Sequence, residues 1–110
     1  MIERFGDAYV VTLQGEIDAY ASPALRRDLR DLIDDVGVSI VVIDLSAVTF
    51  LDSSALGTLV GALRRLRERD GGLRIVEPRT AAARIFALTG LDAVLELYPT
   101  CEAALSGATA

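Results

Sequence analysis

Apolar residues follow two rhythms along this chain, and the switches between them mark its elements. Ile2 to Phe5 reads as a short strand, and Gly6-Asp7 as a tight turn into a second strand, Ala8 to Leu13. Gln14-Gly15-Glu16-Ile17-Asp18 leaves that strand as a loop. Ser22-Pro23 opens a helix, with Ser as N-cap and Pro at the first helical position. Leu25, Leu29, Leu32, Ile33 and Val36 then form one apolar stripe, and Gly37 is placed to end it.

Val38 to Leu45 is almost continuously apolar and rich in Val and Ile, the mark of a strand buried on both faces. A short turn then leads into a second helix, with Leu56, Leu59, Val60, Leu63 and Leu66 on one side and Gly71-Gly72 as its stop. Leu73 to Val76 is a further strand, broken by Pro78. Ala81 to Leu88 is a third helix with Ile85 and Phe86 inward and Gly90 as terminator. Val94 to Tyr98 is a last strand, and Pro99-Thr100 starts a short helix over Cys101 to Leu105. Residues from about Ser106 to Ala110 are expected to fray.

Strands that alternate with helices predict an α/β domain. Right-handed crossovers make its central strands parallel, and the opening hairpin makes the sheet mixed. The expected architecture is a mixed, mostly parallel sheet of four to five strands packed with about four helices, one domain over residues 1–110. Functional loops in such sheets gather at the carboxyl ends of the strands. Glu16-Ile17-Asp18 and Asp52-Ser53-Ser54 both follow strands and are therefore expected to be neighbours.

Composition removes whole classes of chemistry. The 110 residues contain no His, so neither a Ser-His-Asp nor a Cys-His nucleophile can be assembled. All 11 basic residues are Arg, which removes Schiff-base lysines and the P-loop lysine. Arg in place of Lys, with heavy Ala, Leu, Asp and Gly use, matches GC-rich bacterial coding. Cys101 stands alone and is read as a packed or partly exposed thiol, so no disulfide, metal or cofactor is expected. A net charge of −5 argues against direct nucleic-acid binding. Arg64, Arg65, Arg67 and Arg69 cluster, but Glu68 and Asp70 interrupt them. They form a solvated helix face or a docking patch for an acidic partner. No apolar run approaches the roughly 20 residues of a membrane span, and Met1-Ile2-Glu3-Arg4 lacks a secretory pattern. The expected location is cytoplasmic, with no membrane insertion.

The remaining candidate site is Asp52-Ser53-Ser54. Either Ser53 or Asp52 can cap the second helix, and the aspartate's charge suits the positive end of the helix dipole. Ala55 and Gly57 keep the first turn slim for a close approach by another protein, and Leu51 and Leu56 are read as exposed apolar contacts beside it. Small hydroxyls in acidic company, with no base nearby in sequence, point to a site that is modified or recognised. The expected partner surface is Asp18, Asp52, Ser54, Ala55, Leu56 and Gly57, with Ser53 at its centre.

Three segments together resemble the STAS domain, in its stand-alone anti-sigma-factor antagonist type, across nearly the whole chain. They are Leu13-Gln14-Gly15-Glu16-Ile17-Asp18, Ile43-Asp44-Leu45 through Gly57, and Leu73-Arg74-Ile75-Val76 with the helix ending in Thr89-Gly90-Leu91. One departure is Ala55, where the family often has Gly. The resemblance implies a protein that is substrate and ligand, with no catalysis of its own. Its unphosphorylated form would bind an anti-sigma factor that is also a serine kinase, releasing the sigma factor. Phosphorylation of Ser53 would end binding, and a metal-dependent serine phosphatase of the PP2C type would reset it. Asp18 would match the acidic residue beside the acceptor. The alternative within the same family is a cytoplasmic accessory subunit of a lipid-transporting ABC system.

Overall fold

The computed structural model describes residues 1–35 and 38–107. Five strands and four helices follow one another as β1 (Ile2–Phe5), β2 (Ala8–Ile17), α1 (Ser22–Ile33), β3 (Ile40–Leu51), α2 (Ser53–Arg67), β4 (Gly72–Val76), α3 (Arg84–Thr89), β5 (Glu96–Tyr98) and α4 (Cys101–Ser106). Short 3₁₀ turns at Ala81–Ala83 and Leu91–Ala93 flank α3. The sheet keeps sequence order, β1-β2-β3-β4-β5. Only the β1–β2 hairpin is antiparallel; β2, β3, β4 and β5 pair parallel. This is the mixed α/β sheet that the alternating rhythms predict.

β3 is central because its sequence suits burial on both faces. Val41, Val42, Ile43, Leu45 and Val48 are wholly buried. Successive strand residues point to opposite faces, and they sort into two cores accordingly. Val11, Val41, Ile43, Leu73 and Ile75 pack with α1, α2 and Phe86 of α3. Val10, Val42, Val76 and Tyr98 pack with Ala104 of α4 on the other side. Arg74 ties α4 down by donating to the Ala104 carbonyl at 2.7 Å.

Several boundaries differ from expectation, each for a local reason. β2 runs to Ile17 and takes in the expected loop, with Gly15 at φ +75° allowing the strand to continue through an irregular step. β3 runs to Leu51, and no turn separates it from α2: Asp52 alone connects them. Between the Thr12–Asp44 and Ile17–Leu51 pairs, β3 carries two more residues than β2. These extra residues are bulges. At the first, the Asp44 carboxylate accepts from the Ser46 amide at 2.9 Å. The polar Ser46-Ala47 stretch that reads as a strand end is thus a bulge within a longer strand.

α1 ends at Ile33; Val36 and Gly37, expected to extend and stop it, lie outside the described residues. The third helix begins as a 3₁₀ turn and becomes α-helical at Arg84, with Gly90 closing it in the left-handed conformation as expected. Val94 belongs to the second 3₁₀ turn's exit, so β5 is shorter than expected. Ser106 ends α4 and Gly107 caps it, and residues 108–110 of the tail expected to fray lie outside the described ones. No described helix is long and apolar enough to cross a membrane.

Two glycines report opposite constraints. A Cβ on Gly71 would meet the Ser39 carbonyl oxygen at 2.7 Å, whereas one on Gly61, in α2, would meet nothing. Gly71→Ala is expected to destabilise the fold by about 1–3 kcal/mol through forced backbone movement. Gly61→Ala is expected to stabilise it by about 0.4–1 kcal/mol by restricting the unfolded chain. Urea denaturation of both variants checks the pair.

Candidate functional site

The parallel pairing of Ile17 with Leu51 delivers both candidate loops to one end of the sheet. Asp18 follows β2 and organises the start of α1. Its carboxylate accepts from the Tyr20 and Ala21 amides, each at 3.1 Å, and its carbonyl accepts the Ser22 hydroxyl at 2.8 Å. Ser22 is therefore the first helical residue and not the expected N-cap, a position held by Ala21. Its hydroxyl is buried and spent on Asp18.

Asp52, not Ser53, caps α2. Its carboxylate accepts the Ala55 amide at 3.0 Å and the Ser54 hydroxyl at 2.5 Å. The serine bond is short and charge-assisted. These donors hold the Asp52 carboxyl below the ordinary aspartate value, the Ser54 hydroxyl contributing most and the Ala55 amide next. Partial loss of water opposes them, and the Ala19 and Ser54 amides add to the lowering. The Ala19 amide belongs to the loop after β2, so both loops act on one carboxylate.

A second link joins the loops. The hydroxyl oxygens of Ser22 and Ser54 lie 3.1 Å apart. Each hydroxyl owns one proton. One is directed to Asp18 and the other to Asp52, so the Ser–Ser contact shares a proton already engaged. Thr58 then fixes the next turn by donating to the Ser54 carbonyl at 3.0 Å.

Ser53 stands outside this network. It is exposed, and its hydroxyl has no hydrogen-bond partner among the described residues. The two serines are thus chemically distinct: Ser54 is half-buried and committed, Ser53 is presented to solvent. Asp52 is a weak base because its carboxylate is already stabilised as the anion, so nothing beside Ser53 activates it as a nucleophile. An exposed, unbonded hydroxyl of this kind is one that a second molecule can reach.

The expected partner surface needs correction at two residues, and one expected flank with it. Ala55 is 1% exposed and Leu56 5%, so neither can be touched from outside. Leu51, expected as an exposed flank, is also buried. All three belong to the main core. The exposed apolar groups near these loops are instead Phe50, at the end of β3, and Tyr20, 94% exposed after Asp18. Sequence reasoning missed both, along with Ser22. An aromatic two residues from each candidate aspartate was the available signal. Gly57 is exposed. Cys101 is half-buried, and loss of water chiefly pushes its thiol up, which suits the expected packed role.

Known proteins place the chain clearly. The STAS domain family matches residues 1–104. An anti-sigma-B factor antagonist of Listeria monocytogenes is 35% identical over 95 residues, 86% of this chain and 82% of that protein. One from Staphylococcus aureus is 33% identical over 94 residues, covering 86% of each chain. The crystal structure of an anti-sigma factor antagonist from Mycobacterium paratuberculosis superposes with a TM-score of 0.86 at 35% identity, over 97% of this chain and 90% of that one.

Asp52→Ala should lower the melting temperature, while Ser53→Ala should leave it unmoved, since only the first removes a cap. The Asp52 carboxyl titrates lower in the folded than in the unfolded protein. Its contribution is therefore present above the unfolded value and lost as pH falls below about 4, through the lowered folded value. Thermal melts across that range should show a slope in the natural protein that Asp52→Asn flattens.

Proposed function

Because this chain belongs to the STAS domain family, we propose that it is an anti-sigma factor antagonist whose binding is switched at Ser53. The unmodified protein binds an anti-sigma factor that is also a serine kinase, and the sigma factor is released. The kinase transfers the γ-phosphoryl group of ATP to the Ser53 oxygen, leaving ADP, and the hydroxyl proton passes to solvent. The phosphorylated protein lets go, and a PP2C-type phosphatase restores the hydroxyl by hydrolysis. The protein works as ligand and substrate, and such a cycle belongs in the cytoplasm.

The observation that carries this reading is the division of labour between neighbouring residues. Asp52 does the capping and Ser54 is tied to it, which leaves Ser53 exposed and unbonded. A phosphate there adds about −1.5 to −2 charges at neutral pH. The start of α2 favours negative charge, so the fold can keep its shape. A partner fitted to a neutral hydroxyl meets a dianion beside Asp52 instead. One or two like-charge contacts at a partly dried interface weaken binding by roughly 10²- to 10⁴-fold. The relatives named as anti-sigma-B factor antagonists support the same partner class.

The test is affinity capture from the native host with natural protein, Ser53→Ala and Ser53→Asp, followed by mass spectrometry. An anti-sigma factor with serine kinase activity should be retained by the first two and lost with Ser53→Asp. Phosphate should appear on Ser53 in the natural protein and in Ser54→Ala, and nowhere in Ser53→Ala. Transporter subunits retained equally by natural protein and Ser53→Asp would overturn the proposal.

A further inference from the structure

A shallow groove of about 160 Å³ runs between α1 and α2, one turn below Ser53. Gly57 and Gly61 form its α2 wall, and Arg26, Arg30 and Arg65 stand around it. Arg65 is held at one end by Asp34, with Nε 3.3 Å from the carboxylate. Arg26 and Arg30 are exposed, and their guanidinium groups have no hydrogen-bond or ion-pair partner among the described residues. In a chain of net charge −5, this is a local reversal of sign.

The glycines add a second, independent fact. Both are exposed in the interior of a 15-residue helix, and a Cβ on either would meet nothing within 4 Å. No packing inside the molecule calls for glycine there, although glycine weakens a helix. Without side chains at these positions, an outside group can approach the α2 backbone between the arginines.

We propose that this groove receives an acidic segment of the anti-sigma partner. The inference rests on the function proposed above and extends its site from Gly57 to Arg26, Arg30 and Gly61, which the expected partner surface did not include. Gly57 lies about 6 Å along the helix axis from Ser53, and Gly61 about 12 Å. The α1/α2 face is therefore bipolar, with Asp18 and Asp52 at the helix starts, the unpaired Arg26 and Arg30 along α1 and the Asp34-paired Arg65 on α2. A partner presenting negative charge to the groove, and none to the Ser53 end, can dock in one orientation. The arginines are solvent-exposed, so they act chiefly by steering association, in a salt-dependent way.

The experiment measures association of the captured kinase, once purified, with natural protein, Arg26→Glu/Arg30→Glu and Ser53→Asp, across a salt series. The charge-reversed protein should associate about 10-fold more slowly or worse, with its salt dependence flattened. Thermal melts check that it folds, and Arg26→Gln/Arg30→Gln serves the same purpose if it does not. If charge reversal changes neither rate nor salt dependence while Ser53→Asp abolishes binding, the groove proposal fails and the switch stands. If the natural protein binds no such kinase, the functional reading fails and takes the groove with it. If sedimentation shows natural protein self-associating and the charge-reversed protein monomeric, the occupant is a second copy, and the proposal is overturned.

Discussion

Everything at the candidate site depends on the parallel pairing of β2 with β3. That ladder begins at Ala8–Ile40 and ends at Ile17–Leu51, so the two strands release their loops side by side. The pairing holds because β3 is buried on both faces, and a one-residue slip would turn Val41, Ile43 and Leu45 away from the helices. The two bulged residues of β3 adjust its length, so that Asp52 emerges level with Asp18. Without them the strand would end elsewhere relative to Ile17, and the Ala19 amide would not reach the Asp52 carboxylate.

From that placement follows a small polar network joining the starts of α1 and α2. Asp18 shapes the first, Asp52 caps the second, and Ser22 and Ser54 bridge them. Each helix start satisfies its orphan amides locally, which is the ordinary requirement of a helix terminus. The unusual part is that the two solutions touch. Displacing either aspartate disturbs a hydroxyl shared with the other loop.

The layer architecture, the element order and the neighbouring loops were legible in the sequence because they follow from long-range rhythm. Val38 to Leu45 announced a buried strand, and the Leu59–Leu63–Leu66 spacing announced the inner face of α2. The same stripe already included Leu56, and its burial follows from that periodicity; reading it as an exposed flank set local position above helical spacing. Strand ends were less legible, because bulges let Ser46-Ala47 and Gly15 continue a strand where their composition signals a stop. The choice between Ser53 and Asp52 as cap was open for a physical reason: both side chains reach the first-turn amides. The aspartate holds the position with the Ser54 hydroxyl as an added donor, a three-residue geometry that no single position reveals. Ser22 was misassigned in the same way, because the Asp18 turn moves the helix start by one residue.

The free hydroxyl of Ser53 has a consequence for how much of this protein a cell would hold. Chains are cleared in proportion to how often they open, so a modification that loosened a helix would hasten its own carrier's degradation. Ser53 caps nothing in the fold, and a negative group added there sits at the helix end that favours it, so it does not make α2 open more often. The modified and unmodified populations would then share one lifetime. Their ratio would then follow the balance of the two opposing enzymes wherever those enzymes act fast beside synthesis and clearance.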